Sequence, residues 1–454
     1  MDQATELKNG PALTAKLGLV DATTLVVGSM IGSGVFVVAA DIARQVQSPG
    51  LLLIVWIATA VMTMVAALSY GELAAMMPQA GGQYVYLREA FGPLPAFLYG
   101  WTLFLVIQTG TMAAVAVAFA KFLGVFIPLG PREQQMIAIG VLVSLAYINT
   151  RGVREGVMVQ NVFTIAKTGA LLGLIGLGLW HGHTPEALPN FDNFWQGADW
   201  SWACIRLVGV AMVGSLFSSD AWNCVTFTAG ETKNPRRNVP LSLALGVAIV
   251  SLLYLGANYV YVSVLPLSGI ANAAQDRVGT AAAQALLGDS AQAIMAIAIM
   301  ISTFGCVNGL TLAGARVYYA MALDGLFFKK VAQLDPKTQT PNVSLWAQCL
   351  WACVLTLSGR YGDLLDYVIF AVLLFYALTI CGVFVLRARR PDAPRPYRAI
   401  GYPVVPALYV VAALTIEWLL LLYKPSYTWP GLIIVLLGVP VFYIWRGRGK
   451  EVKG

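Results

Sequence analysis

Two ionisable side chains stand where an apolar chain has least reason to keep them. Lys167 lies between Ile165-Ala166 and Thr168-Gly169, and Asp220 follows Ser218-Ser219, each deep within a long hydrophobic run. Hydrocarbon offers such a group neither water nor counter-charge, so an ionisable residue at that depth is a functional-site candidate by default. A buried ammonium must find an anion, bond backbone carbonyls or give up its proton. Lys167 is too far from either end of its run to snorkel easily. Two chemistries follow: a fixed cation tying its segment to a neighbouring backbone, or a group that releases and regains a proton. A structural snorkelling lysine is the bland alternative. Asp220 either accepts hydrogen bonds at a weak point of a helix or recognises the cation of a substrate. Phe217 and Trp222 flank it, placed to shut a pocket from one side or simply to pack.

A third feature carries chemistry through the main chain. Val27-Gly28-Ser29-Met30-Ile31-Gly32-Ser33-Gly34-Val35-Phe36 interrupts an apolar segment, 17–40, long enough to cross a bilayer. Its glycines and serines lower helix propensity at the depth where a break costs most. Such a break is tolerated where the freed N–H and C=O groups face protein, water or a ligand. One reading is a discontinuous helix whose second half turns its first amides toward an anion such as a carboxylate. Another is close helix packing, which small residues also permit.

These residues must be positioned by an integral membrane protein. The chain has 454 residues, 58% hydrophobic and only 11% charged, with mean hydropathy +0.72. A soluble domain carries about 25% charged residues. No cleavable signal peptide is evident, since residues 1–16 are polar and the first apolar run is too long for an h-region. Hydropathy gives twelve spans, at 17–43, 50–77, 91–123, 134–149, 156–180, 202–229, 240–265, 291–322, 343–358, 363–386, 402–423 and 429–446. With the N-terminus inside, Lys and Arg on the cytoplasmic side outnumber those on the outer side roughly three to one. The basic linker 387–401 contributes five of the cytoplasmic ones. Both termini are therefore expected in the cytoplasm of a plasma (cell inner) membrane protein. The formal charge of +7 follows from the same asymmetry and does not call for nucleic acid.

An internal echo decides between the readings of span 1. Val27-Gly28-Ser29-Met30-Ile31-Gly32-Ser33-Gly34 aligns with Val213-Gly214-Ser215-Leu216-Phe217-Ser218-Ser219-Asp220 in span 6, which crosses the bilayer in the opposite sense. Interrupted segments at matching places in two halves of opposite topology point to an inverted-repeat transporter. The organisation is then a cytoplasmic tail (1–16), a first repeat (17–180), a second repeat (202–386), spans 11 and 12 as scaffold or oligomer contacts (402–446) and a cytoplasmic tail (447–454). Residues 78–93 read as a cytoplasmic turn or short interfacial helix. The segments 181–201 and 266–290 read as the longest outer loops, placed to cap the pathway. Arg316 and Arg206 read as interface anchors.

Other chemistry is thin. Cys204, Cys224, Cys306, Cys349, Cys353 and Cys381 lie in or at the ends of apolar segments without a CxxC, and read as small buried hydrophobes. His181 and His183 share one loop, too few for a metal site. No HExxH or hydrolase constellation is present, so no enzyme, cofactor or metal is expected. A channel would need a charged ring or a carbonyl-loop filter, neither of which is seen.

Taken together, these stretches resemble the amino acid–polyamine–organocation transporters, in particular the L-type amino acid transporter branch and its bacterial homologues. The resemblance rests on residues 28–36; Gly81-Gly82-Gln83-Tyr84-Val85-Tyr86 with Gly92-Pro93-Leu94-Pro95-Ala96-Phe97; Lys167; residues 217–223; Asn234-Pro235-Arg236-Arg237-Asn238-Val239-Pro240; and Ser302-Thr303-Phe304-Gly305-Cys306-Val307-Asn308-Gly309. It covers spans 1 to 8, and the combination is specific. It implies an all-α membrane protein of twelve helices with the LeuT-type 5+5 inverted repeat and discontinuous helices 1 and 6. By resemblance, the amides of Gly32, Ser33 and Gly34, with the Ser33 hydroxyl, hold a substrate α-carboxylate. The carbonyls of Met30, Phe217 and Asp220 hold its α-amino group, with Ile31 in the same unwound stretch. Phe217 gates the site with Trp222, and Asn223 shapes it. Lys167 is similar to the lysine that marks sodium-independent members, its ammonium standing where a coupling sodium ion would bind.

The implied activity is sodium-independent movement of L-amino acids, small or neutral, by exchange or proton coupling. A cationic amino acid or polyamine transporter and a non-transporting amino acid sensor are the alternatives. Ser218-Ser219-Asp220-Ala221 departs from the small residues of the human branch and leaves side-chain specificity open. The outer segment 123–134 has no cysteine, so no disulfide-linked heavy chain is expected. The expected partners are the L-amino acid, the lipid bilayer and, in the coupled version, protons.

Overall fold

The computed structural model describes residues 13–199, 201–288, 290–358 and 361–451, without the side chains of 361–367, 427 and 446–451. The expected tails fall outside that description over 1–12 and 452–454, as do Lys8, Arg360 and Lys453.

The chain begins with a bent pair: α1 (Leu19–Met30) and α2 (Gly34–Val46), inclined by 42° across a short break. Then come α3 (Pro49–Met76), α4 (Gln83–Phe91), and a long helix made of α5 (Pro93–Thr102), a π turn (Leu103–Ile107) and α6 (Gln108–Leu123). These are followed by α7 (Pro131–Thr150), α8 (Val153–His181), α9 (Leu188–Asp192), α10 (Trp202–Ser218), α11 (Cys224–Phe227) and α12 (Pro235–Val264). The rest comprises α13 (Leu267–Ala271), α14 (Val278–Leu287), α15 (Ala291–Leu323), α16 (Asn342–Leu357), α17 (Tyr361–Arg389), α18 (Val404–Tyr423) and α19 (Pro425–Glu451). Among the described residues, eight helices are long and apolar enough to cross a membrane, and nine if the bent pair is one span. With 17 residues, α10 falls short of the about 20 a bilayer requires, because the chain leaves helical geometry at Ser219.

The broken elements occupy the centre. α2 packs on α10, α11 packs on α1 and α15, and α1 also lies against α12 and α8. Along α8 the buried residues Gln160, Thr164, Lys167, Leu171 and Leu174 recur every three or four positions, one stripe of a helix whose other faces are exposed. Lys167 is on that stripe, 1% exposed, and so faces the protein rather than the interface. α18 lies outside this centre, against α17, α10 and α3.

Two expectations need correction. Residues 83–91 do form a short helix, but Gln83, Tyr84 and Tyr86 are fully buried; α4 is an internal element rather than a surface turn. Arg316 is no interface anchor. It is buried and grips Glu231 with two bonds, Nε–Oε2 at 2.8 Å and Nη2–Oε1 at 3.1 Å, while Nη1 donates to the Leu312 carbonyl. Arg206 sits near the start of α10, over the Tyr423 ring.

Candidate functional site

The first break is closed on its acceptor side and open on its donor side. Ile31 turns extended after Met30 (φ −76°, ψ 96°), which strands carbonyls that a continuous helix would have used. Lys167 Nζ donates to the carbonyls of Gly28 and Ile31, each at 2.6 Å, and to that of Ser302 at 3.3 Å. All three ammonium donors are thereby used. Ser302 Oγ lies 3.1 Å from Ile31 O and 2.9 Å from Gly32 O. Cys306 Sγ donates to Ser29 O at 3.0 Å, and Tyr254 OH lies 3.0 Å from Met30 O. Every carbonyl from Gly28 to Gly32 thus has a partner. The amides of Gly32, Ser33 and Gly34, by contrast, have no acceptor among the described residues, and they open the 13-residue helix α2. Unpaired amides at the positive end of a helix suit an anion.

The second break runs from Ser219 to Asn223, between α10 and the single turn α11. Ala221 takes a left-handed conformation (φ 66°), which costs a side-chain-bearing residue about 1–2 kcal/mol. Asp220 Oδ1 accepts from Tyr376 OH at 2.6 Å. Asn223 Nδ2 donates to Gln83 Oε1 at 2.7 Å, and Gln83 in turn donates to Thr379. Tyr254 OH, already at Met30, also stands 3.0 Å from Ser218 O, so one hydroxyl reaches the last carbonyl of both half-helices.

A vestibule of about 1020 Å³ opens from the face carrying Asp41, Lys121, Asp276 and Arg277, and reaches Ser33 and Phe217. The expected outer segment 266–290 contributes Gln275, Asp276 and Arg277 to its rim. Beyond Phe217, two closed pockets of about 20 and 10 Å³ border Asp220, each roomy enough for roughly one water. The larger is lined by Gln83, Gln108, Thr111, Asn223 and Tyr376, next to the π turn of the α5–α6 helix. Trp222 lines the smaller and packs on Tyr70 and Tyr376. Phe217 and Trp222 therefore border different cavities rather than one side of a single pocket.

The opposite face is shut. Besides Arg316–Glu231, Tyr84 and Arg88 hold Asp324, and Glu72 receives Arg387, Arg395 and the Ala399 amide. Residues 16–17 pair with 231–233 through the Lys16, Leu17 and Lys233 amides. Among the described residues, no three His, Cys, Asp or Glu side chains gather to hold a metal ion.

The structure brings Met30, Ile31, Gly32, Ser33, Gly34, Phe217, Asp220, Asn223 and Lys167 into one region. Sequence reasoning did not single out Tyr254, Tyr376, Gln83 or the individual roles of Ser302 and Cys306. Gln83, Ser302 and Cys306 lie inside motif stretches already noted, whereas the tyrosines carry no mark beyond a polar tip in an apolar run.

A family model described as Amino acid permease matches residues 17–443. The chain belongs to the amino acid permease family. Among the proteins it resembles is the human Large neutral amino acids transporter small subunit 2, 32% identical across 97% of this chain and 83% of the relative. Human b(0,+)-type amino acid transporter 1 is 30% identical across 95% and 88%. The mouse Asc-type amino acid transporter 1 is 29% identical across 97% and 83%. For this permease, then, the likeness runs through spans 9 to 12 as well as through the motif-bearing part.

Proposed function

We propose that this permease moves L-amino acids, small or neutral, across the plasma (cell inner) membrane by sodium-independent alternating access, as an exchanger or with protons. The observation that carries the reading is the pair of adjoining breaks, one presenting unpaired amides beneath a vestibule. In this reading the amides of Gly32, Ser33 and Gly34 bind the α-carboxylate. The carbonyls of Met30, Phe217 and Asp220 take the α-amino group, Ile31 completes the unwound stretch, and Asn223 shapes the site. Phe217 closes it toward the vestibule, and Trp222 backs it from the far side. Three carbonyls converging on Lys167 make the nest a metal cation would otherwise want; a fixed ammonium there supports sodium independence. The relatives' names, with neutral amino acids among them, support the substrate class.

The same reading takes the twelve helices as two inverted five-helix repeats, 17–180 and 202–386, followed by 402–446. Both tails, 1–16 and 447–454, are cytoplasmic, and the vestibule faces out. No disulfide-linked partner is needed, since 123–134 lacks a cysteine. The test is uptake of labelled amino acids into proteoliposomes, with and without internal amino acid. Saturable uptake stimulated by internal substrate is expected of an exchanger; absence of saturable uptake under every gradient overturns the reading.

A further inference from the structure

α18 contains one charged residue, Glu417, and no function so far uses it. It lies six positions, about 9 Å, short of the helix end at Tyr423. The side chain is 5% exposed, and neither carboxyl oxygen has a hydrogen-bond partner. The backbone amide facing it, Leu374, sits mid-way along α17 and is committed to its own helix.

Tyr409, Ala413 and Glu417 follow at i, i+4 and i+8 and share the buried face of α18. α17 meets that face at Glu417 through Leu374, whereas α10 lies round the other edge of α18. At one level Gly209 meets Leu419, a Cβ on the glycine falling 2.8 Å from Leu419 Cδ1. At the other, Tyr409 shares a small cavity with Ser219, Asp220 and Tyr376. Leu419 is two positions from Glu417 and points about 160° away from it; the link from Glu417 to Asp220 is α17, where Leu374 faces the carboxyl and Tyr376 bonds Asp220. Of the ionisable groups on the elements packed against α18, Tyr70 belongs to α3, Tyr376 to α17, Asp220 to the break and Arg206 to α10. Tyr409 and Tyr423 belong to α18 itself, and Tyr443 of α19 is exposed. Arg206 is engaged with Tyr423, and none of these groups bonds to Glu417.

An unpaired carboxylate is far costlier to bury than the neutral acid. Ionising Glu417 thus requires water, and water can reach it only if the α17–α18 packing loosens. We propose that Glu417 is a proton-binding site whose occupancy sets the position of α17. With its proton on, the packing described above is favoured; with the proton released, α17 is free to move, and Asp220, bonded to Tyr376, moves with it. The inference rests on the transport reading, because it makes a proton the ligand coupled to that motion.

The test uses the purified full chain in liposomes, assayed for amino acid exchange without a pH gradient and for net uptake with the outside acid. Acidification should raise net uptake by the unmodified protein at least about fivefold. Glu417→Gln and Glu417→Met should both still exchange yet lose that gain. Because no partner is orphaned by either change, both variants should melt within a few degrees of the unmodified protein. A protonated-carboxyl infrared band should disappear in both variants and should shrink in the unmodified protein when substrate is added. Retention of the full acid response by both variants, or exchange by the unmodified protein with no acid response, overturns the proposal; so does an infrared spectrum unaltered by Glu417→Gln. If the unmodified protein exchanges no amino acid, the transport reading itself falls, and the infrared band alone decides the protonation of Glu417.

Discussion

Gly34 and Ser218 touch: a Cβ built on Gly34 would stand 2.2 Å from Ser218 Oγ and 2.8 Å from its Cβ. The first residue of α2 and the last of α10 are thus in contact at the two interruptions, and a hydrogen is all that fits between them. Gly34→Ala should push α2 off α10 and displace the amides of the first break. A displacement of about 1 Å at such a site can cost on the order of a hundredfold in rate. Adding Ser218→Gly removes both clashing side-chain atoms and should recover part of that loss. Uptake rates of the single and double variants decide it; no recovery in the double variant would mean that something other than this contact requires the glycine.

Lys167 satisfies three carbonyls at once, two of them at 2.6 Å. Lys167→Ala takes that donor from all three; Ile31 O keeps the Ser302 hydroxyl, but Gly28 O is left buried without a side-chain donor, an orphan that costs about 1–3 kcal/mol. Transport should fall at every pH if the ammonium is a permanent brace. If the lysine instead gives up and regains a proton, the variant should keep exchange and lose only pH dependence. Exchange rates measured across a pH series separate the two outcomes.

Tyr254 OH lies 3.0 Å from both Met30 O and Ser218 O. Tyr254→Phe keeps the ring and its edge contact with Trp56 while removing the one donor shared by both half-helices. A loss of about 1–3 kcal/mol in stability is expected, read as a lower melting temperature, together with a raised KM. Unchanged melting would show that water replaces the hydroxyl at both carbonyls.

How much of this was legible beforehand varies with the physics. The first break announced itself, since glycine and serine crowd the middle of an apolar run. The second was legible only as an echo of it, because the bend falls on Ala221, a good helix former held left-handed by its surroundings. Span boundaries came within a few residues where polar residues end a helix, as at Pro49–Met76 against the expected 50–77. They slipped at Pro235–Val264 against 240–265, where Pro-Arg-Arg-Asn opens a helix that hydropathy cannot see. The Arg316–Glu231 pair joins residues 85 positions apart, and no local pattern foretells it. Glu417 is different: a lone charge in its span was visible, but that both its oxygens lack partners is a property of packing alone.

The closed face offers a fourth expectation. Glu231→Gln leaves the Arg316 guanidinium buried opposite a neutral amide, and removing one member of a buried pair costs about 3–5 kcal/mol. Yield and melting temperature should both drop. Glu231→Leu combined with Arg316→Met removes both charges and should restore melting. Transport should stay low in that double variant, because an ion pair can part into water whereas a sealed apolar contact resists opening. Full transport by the double variant would mean that the pair is scaffold and not part of the closure.

One-sided access makes the last prediction. Ser33 and Phe217 border the vestibule, whereas Trp222 and Asn223 are buried and line only the closed pockets. The six native cysteines are free, four of them buried and two partly so, which leaves a quiet background for a charged thiol reagent that cannot cross the bilayer. Ser33→Cys and Phe217→Cys should react from the side bearing Lys121 and Arg277 and not from the other. Trp222→Cys and Asn223→Cys should react from neither side at rest. A saturating neutral L-amino acid should protect Ser33→Cys, because its carboxylate would sit on the amides beside that residue. Labelling of Ser33→Cys from the opposite side alone would reverse the assignment of the open face, and failure of every amino acid to protect it would take the carboxylate away from the first break.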